Sequence, residues 1–468
     1  MGETIYDLIV IGSGPAGYNA ALEAARRGMS VLVVERRGSH GGVCLHEGCI
    51  PSKALLDSTA LYRTMRQSAA AHGITTGFLQ VDLSTMMKRK EEVVKKLADG
   101  IASLFRKEKV VSIFGDASLG PLRSDGSHTV LVKNQDSPVV PKAFPARRVL
   151  LATGSEPTPL PGIPFDGEVI VSSSDALSFT AIPEQLLIVG AGYIGIEMGT
   201  IWSRLGSRVT IVEALPSFLP AMDGAVSSTL LKSLKKQGIT LLFSTTVTRV
   251  VPEGGRAVVT LYTQEGEKEL SFDRVLVAIG RKPGMVAMEG HQDGIRRDDR
   301  GRVVVDEGYE TSIPGVHAIG DLVKGPMLAH KGIDEAAVFV DRLAGGKRVV
   351  DYDLIPGVIY GEPEVATIGR TEEELKASGA SYRSLHLSFM ASGRARCMGE
   401  PDGFVKILAK RQGGRILGVH LVGPHVSELI GEAAVVMGYG GTIDDLAQIT
   451  HPHPTLSESI KETASLRS

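Results

Sequence analysis

The chain of 468 residues is 43% hydrophobic and 22% charged, enough apolar material for about two to four domains and too much for one ordinary core. With 51 Lys+Arg against 53 Asp+Glu the formal charge is −2, so no broad field of one sign invites nucleic acid or anionic lipid. Three cysteines cannot build a disulfide framework, and no apolar run reaches the roughly 20 residues of a membrane helix.

The start, MGETIYDLIVIGSGPAG, has no basic leader or cleavable apolar stretch and reads as the mature first strand of a cytoplasmic protein. YDLIVIGSGPAGYNAALEAARRGMSVLVVE predicts a strand, a glycine turn, an Ala-rich helix and a second strand ending at Glu35. Gly12, Gly14 and Gly17 form G-x-G-x-x-G in the strand–turn–helix context where a backbone can approach a pyrophosphate at the positive end of a helix. Glu35 is placed to accept hydrogen bonds from a ribose. Taken alone, the glycine motif also fits an ordinary tight turn.

GGVCLHEGCIPSK, residues 41–53, holds Cys44 and Cys49 with four residues between them. Two small buried apolar side chains would explain the pair, as for most free cysteines. A zinc site completed by His46 and Glu47 is a weaker reading, because adjacent residues of a helix point apart. A redox pair is the third reading: a small disulfide ring closes if the backbone leaves a regular helix, and Gly48 makes that distortion cheap. Lys53 and a helix beginning near Pro51 would favour a thiolate.

The stretch from Asp82 places Val93, Val94, Leu97, Ile101, Leu104 and Phe105 at helical spacing, predicting a long amphipathic helix whose charges form a solvated face. RRVLLATG and, later, DRVLVAIG are buried-strand runs that open onto Pro-containing loops, EPTPLPG and RKPG, plausible as domain crossings. Between them EQLLIVGAGYIGIEMGTIWSRLGSRVTIVE repeats the first unit. Gly190, Gly195 and Glu213 each lie 178 residues beyond Gly12, Gly17 and Glu35, and Gly28 recurs as Gly206. Two copies, each with Gly192 or Gly14 in the middle and closing on Glu, predict two dinucleotide sites. The acidic Glu213 predicts NAD rather than NADP.

GVHAIGDLVKGPMLAHKG predicts a strand ending at Asp321, a Gly-Pro loop and a helix, with Asp321 able to reach a ligand hydroxyl. After about Asp351 the texture changes: FVKILAKRQGGRILGVHLVG predicts an antiparallel hairpin through Gly413-Gly414, and SELIGEAAVVMGYG a helix. The tail carries HPHPTLSE.

GGVCLHEGCIPSKALL, the doubled glycine motif, LATG, AIGD, GPMLAHK and HPHPTLSE together resemble the FAD-dependent pyridine nucleotide–disulfide oxidoreductases, and within them the dihydrolipoamide-oxidising branch. The similarity covers essentially the whole chain, and its most specific parts are the cysteine segment and HPHPTLSE. The resemblance implies an α/β fold of two Rossmann-like dinucleotide-binding domains with a C-terminal α+β dimerisation domain. FAD would be bound by residues 1–147 and 278–347 and NAD by 148–277, while 348–468 would form the interface of a homodimer. FAD would lie at Gly12, Gly14, Gly17 and Glu35, with Lys53, Gly115, Thr153, Gly154, Asp321, Met327, Leu328, Ala329 and His330 lining the flavin. NAD would lie along Gly190, Gly192, Gly195 and Glu197, with Glu213, Val247 and Gly280, and Lys53 would pair with Glu197.

The same resemblance makes Cys44–Cys49 a redox disulfide and His453 a base oriented by Glu458, supported by His451 and acting on the disulfide of the other subunit. The implied reaction is oxidation of protein-bound dihydrolipoamide with reduction of NAD, the lipoyl group coming from a 2-oxoacid dehydrogenase or glycine cleavage complex. No metal is implied. His46-Glu47 departs from the Asn and apolar residue of many relatives, and Cys397 is expected to be structural. A terminus without a thiol pair argues against a mercuric reductase, and IPSK with Glu213 against an NADP-dependent glutathione reductase. A transhydrogenase or NADH oxidase would lack a cysteine or the His-Glu pair, and a non-catalytic binding subunit would carry a broken site.

Overall fold

A computed structural model of the chain describes residues 4–134, 137–288 and 294–466. It divides into two compact units, Met1–Ala54 with Ser84–Thr158 and Arg281–Val350, and Leu55–Leu83 with Pro159–Gly280 and Asp351–Ser468.

The first unit is organised around the strand Tyr6–Ile11, which pairs in parallel with Val31–Glu35 on one side and with the end of Ser137–Leu151 on the other. Leu8 faces Val31 and Arg148 in this register. Alternation sends Leu8 and Val10 into one core and Ile9 and Ile11 into another, so a strand buried on both faces reads as a continuous apolar run. Val111–Phe114 extends the sheet in parallel beyond Val31–Glu35, and Val316–Ala318 pairs in parallel with Ser137–Leu151. Antiparallel strands His128–Asn134 and Asp116–Leu119 continue the other edge. Helices Pro15–Arg26 and Ala329–Leu343 cover the Leu8 face through Ala20, Ala24, Ala336 and Phe339.

The predicted long helix is Leu83–Lys107, and it buries Ala98, Ile101 and Phe105. Leu97 and Leu104 instead face solvent, and Val93 and Val94 are half-buried. One residue turns a helix by about 100°, so a single edge of the apolar stripe meets the core and the other does not.

The second unit contains a parallel sheet ordered Thr240–Leu242, Arg208–Val212, Gln185–Val189, Arg274–Val277, Ile170–Val171. A three-stranded antiparallel sheet, Thr246–Glu253, Arg256–Thr263 and Gly266–Phe272, packs its apolar face with it. The later part of the unit is the expected change of texture: an antiparallel sheet ordered Gly357–Ile359, Glu364–Gly369, Ile416–Gly423, Phe404–Lys410, Tyr382–Ser388, covered by helices Val426–Gly438, Ile443–Gln448 and Glu458–Ala464. Its hairpin turns through Gly413 and Gly414, both at positive φ.

A charged cluster is buried in this unit. Lys406 Nζ donates to both oxygens of Asp223 (2.8 and 2.7 Å) and pairs with Glu372 at 2.7 Å. Burial works against the charge of Lys406, but the two carboxylates outweigh it and raise its pKa. Lys406 leads the groups that depress the Glu372 carboxyl to about 2. No helix among the described residues is long and apolar enough to cross a membrane.

Candidate active site

The two glycine units adopt the same local geometry. Each helix, Pro15–Arg26 and Tyr193–Arg204, begins at a glycine N-cap, Gly14 and Gly192, with no side chain bonded to its first N–H groups. Those donors and the helix dipole point outward, as an anion site requires. A Cβ on Gly12 would stand 2.4 Å from Ala152 O, and one on Gly190 2.5 Å from Ala278 O. A Cβ on Gly17 would stand 1.9 Å from Gly12 O, and one on Gly195 2.1 Å from Gly190 O. The first two contacts pack each turn against the end of the neighbouring parallel strand, and the last two seat each helix directly on the strand before it.

The acids close the units alike. Glu35 Oε2 accepts from Ser13 N at 2.8 Å and Glu213 Oε2 from Ala191 N at 3.0 Å. Their other oxygens accept from Arg37 N and Leu215 N, both at 2.9 Å. A carboxylate has about four acceptor positions, so each retains capacity for a ribose hydroxyl. Glycine cradle, uncapped helix and oriented carboxylate fit a dinucleotide in both copies.

The copies differ in their cover. Gly41 N donates to Ser13 O at 2.9 Å, and a Cβ on Gly42 would lie 2.6 Å from Gly14 Cα, so the cysteine segment is folded down on the first turn. Nothing lies within 4 Å of a Cβ on Gly192. Glu35 is buried, whereas Glu213 is partly exposed.

Gly41 and Gly42 take positive φ, 116° and 60°, which releases the chain into a short helix, Gly42–Glu47. Gly48 breaks it at φ −142°, ψ −113°, and a second helix, Cys49–Arg63, starts at once. It begins two residues before Pro51, where the sequence pointed. The break brings the two sulfurs together, Cys44 half-buried and Cys49 exposed. A hydrogen bond between them, with burial second, pushes the Cys44 thiol up, and the opposing pull of Lys53 does not offset it. The expected ease of forming a thiolate is therefore not met at Cys44, because its proton is held against the neighbouring sulfur. The ligands considered for zinc are engaged elsewhere, His46 Nε2 with His40 O at 2.9 Å and Glu47 with Arg37. Among the described residues no group of three or more His, Cys, Asp or Glu could hold a metal.

Other expected residues of the first unit gather around these elements. Gly115 N donates to Glu35 O at 2.8 Å, and Thr153 Oγ1 donates to Gly284 O. Gly154 takes φ +70° with open space at its Cβ position. Asp321 accepts from Ser155 Oγ. The peptide before it is clamped by a fully buried pair: Lys331 Nζ donates to Gly320 O at 2.6 Å, and Glu335 Oε2 accepts from Gly320 N at 2.7 Å. Met327, Leu328, Ala329 and His330 form the uncapped start of helix Ala329–Leu343.

Sequence reasoning missed Arg281, which donates through Nε to Ser155 Oγ at 2.7 Å. Burial lowers its pKa, with Asp321 and then Cys49 acting in the other direction, so these groups share one electrostatic neighbourhood. Its position in RKPG, directly after a strand-end glycine, was the available signal.

In the second unit Glu197 is buried on helix Tyr193–Arg204, and its Oε1 accepts from Tyr360 N at 3.2 Å. Thr245 N donates to Glu213 O at 3.0 Å, and Val247 follows two residues beyond Thr245. Gly280 takes φ +137° with nothing within 4 Å of its Cβ position. His453 Nδ1 and Glu458 Oε1 are 2.8 Å apart, and Glu458 Oε2 accepts from Thr455 N at 2.8 Å. Thr455, then His453, holds the Glu458 carboxyl below its ordinary range. The His453 side chain is 80% exposed, whereas His451 is bonded to Glu432 through Nε2 at 2.8 Å. Cys397, expected to be structural, is exposed on the short helix Gly393–Met398, so no core packing depends on its sulfur.

Comparison with known proteins agrees with this geometry. The family described as pyridine nucleotide-disulphide oxidoreductase matches residues 6–336, and its dimerisation domain matches residues 355–464. Dihydrolipoyl dehydrogenase 3 of Pseudomonas putida is 43% identical over 461 residues, covering 98% of this chain and 97% of its own. Mitochondrial dihydrolipoyl dehydrogenase 1 of Arabidopsis thaliana is 41% identical over 460 residues, with 98% and 89% covered. The crystal structure of LpdA from Mycobacterium tuberculosis superposes with a TM-score of 0.89 at 28% identity, covering 98% of each chain. The chain thus belongs to the pyridine nucleotide-disulphide oxidoreductase family and is an oxidoreductase that works with FAD and NAD(H).

Proposed function

We propose that this chain oxidises protein-bound dihydrolipoamide to lipoamide with reduction of NAD, using Cys44 and Cys49 as a redox disulfide. The observation that carries the reading is the docking of the cysteine segment on the first glycine turn, Gly41 N to Ser13 O, with the two sulfurs in mutual contact across Gly48. The mitochondrial and bacterial relatives, named for dihydrolipoyl oxidation, support the substrate.

His453 is the proposed base. With Nδ1 held by Glu458, its Nε2 takes the proton of one substrate thiol. The thiolate attacks Cys44 Sγ and opens the Cys44–Cys49 bond, with Cys49 leaving as the negative sulfur at the start of a 15-residue helix, where such charge is supported. The second substrate thiol then displaces Cys44, so the substrate closes its own disulfide and two electrons remain on the protein pair. FAD, when bound, supplies the two-electron carrier between this dithiol and NAD. Gly12, Gly14, Gly17, Glu35, Gly115, Thr153, Gly154, Asp321 and residues 327–330 hold FAD in this reading, and Gly190, Gly192, Gly195, Glu197, Glu213, Val247 and Gly280 hold NAD.

The proposal keeps the division into residues 1–147 and 278–347 for FAD, 148–277 for NAD and 348–468 for dimerisation. It includes a homodimer in which His453 serves the partner's disulfide, a lipoyl-bearing partner complex and a reducing, cytoplasmic setting. The matched dimerisation domain and the exposure of the His453 ring support the dimer. The test mixes the holoenzyme anaerobically with dihydrolipoamide and NAD. NADH should form, and Cys49→Ser and His453→Ala should each suppress it. Equal NADH with both variants refutes the assigned roles, and turnover of glutathione but not dihydrolipoamide refutes the substrate.

A further inference from the structure

His46 and Glu47, two of the four residues between the cysteines, are both tied to the loop that follows the strand Val31–Glu35. His46 Nε2 bonds His40 O at 2.9 Å. Arg37 grips Glu47 with two nitrogens, Nη2 to Oε2 at 3.1 Å and Nη1 to Oε1. The loop is a firm anchor: His40 is buried, its ring centroid lies 4.8 Å from that of Phe105 and 5.0 Å from that of Phe114, and its Nδ1 meets Ser13 Oγ at 3.2 Å. Ser13 Oγ donates in turn to Glu35 Oε2 at 2.7 Å. A continuous chain of bonds therefore runs from the acid of the first dinucleotide site to the helix that carries Cys44.

Both tethers act inside the ring that a Cys44–Cys49 disulfide would close, one on each of the two residues before Gly48. Gly48 is the only glycine among the four intervening residues, and it is the freest backbone in that ring. Holding its neighbours reduces the conformations open to the reduced dithiol, which raises the effective concentration of one sulfur at the other. Arg37 also neutralises Glu47, which would otherwise place an unpaired negative charge three residues from one cysteine and two from the other.

We propose that His46 and Glu47 are positioning residues that set the reduction potential of the Cys44–Cys49 couple, holding the pair poised towards the disulfide. The inference rests on the redox role given to the pair above. Releasing the tethers should disfavour the disulfide by about tenfold, and a tenfold change in the two-electron equilibrium corresponds to about 30 mV.

The experiment equilibrates the FAD-loaded protein with glutathione buffers of graded composition and counts free thiols after acid quench and alkylation. Opening the protein disulfide takes two electrons and two protons from two glutathione thiols, which become one glutathione disulfide, so the thiol count gives the equilibrium constant directly. In a Cys397→Ser background, His46→Asn, Glu47→Val and the double variant should each shift the couple to more positive potential, the double variant by about tenfold or more in the constant. Arg37→Glu should act like Glu47→Val, and the exchange Arg37→Glu with Glu47→Arg should restore the parent value, a rescue that simple damage to the fold does not produce. A double variant with the parent constant overturns this inference and leaves the proposed function standing. Failure of the parent protein to form the disulfide in any buffer overturns both.

Discussion

Gly195→Ala is the sharpest test of the second dinucleotide site. The added Cβ would sit 2.1 Å from Gly190 O, about 1.2 Å inside an ordinary carbon–oxygen contact of roughly 3.3 Å. A backbone oxygen cannot rotate away, so the start of helix Tyr193–Arg204 has to withdraw from the strand Gln185–Val189, and its exposed N–H groups move with it. Overpacking of this kind costs about 1–3 kcal/mol. If that cost falls on the bound state, NAD affinity drops by about 5- to 150-fold at 1.4 kcal/mol per decade. The control is Gly206→Ala at the far end of the same helix. It has φ +110° and nothing within 4 Å of its Cβ position, so it strains the backbone without moving the turn. NADH titration of the purified flavoprotein, with flavin content measured on the same samples, should show weaker binding only for Gly195→Ala and full flavin for both. Unchanged affinity in Gly195→Ala, or an equal loss in Gly206→Ala, refutes the reasoning.

Three further outcomes are expected. Glu213→Gln keeps the shape of the acid but removes its charge, and the ratio of kcat/KM for NAD over NADP should fall by about tenfold or more. His453→Ala should slow flavin reduction by dihydrolipoamide about 10²- to 10⁴-fold in stopped flow, with Glu458→Gln intermediate, while flavin reduction by NADH is unaffected. The Glu372 carboxyl, lowered from 4.5 to about 2 chiefly by Lys406, contributes stability that is present above pH 4.5 and lost as pH falls towards 2. Urea unfolding across that window should therefore show a shallower decline for Glu372→Gln than for the parent protein.

The sequence and the structure agree most closely where a constraint is local and repeated. The two glycine units could be read in detail because Gly17 and Gly195 answer contacts within their own units, to Gly12 O and Gly190 O, and the bonds from Ser13 and Ala191 to their acids recur at the same 178-residue offset as the motif. The break at Gly48 was legible for the same reason. Arg281, Ser155 and the Lys331–Glu335 clamp were not, because their partners are distant in sequence or are backbone atoms that no side-chain pattern encodes. Leu97 and Leu104 show the converse: spacing defines the apolar stripe of a helix but not how much of it the rest of the unit covers. The upward push on the Cys44 thiol escaped because motif spacing supplies a cationic neighbour but not the competing contact between sulfurs.

The asymmetry of cover over the two glycine turns bears on how long each guest stays. Gly42 packs against Gly14 over the first turn, and the first acid is buried. Above Gly192 the way is open. The proposed assignment of FAD to the first copy and NAD to the second thus puts the prosthetic group on the covered turn and the co-substrate on the open one.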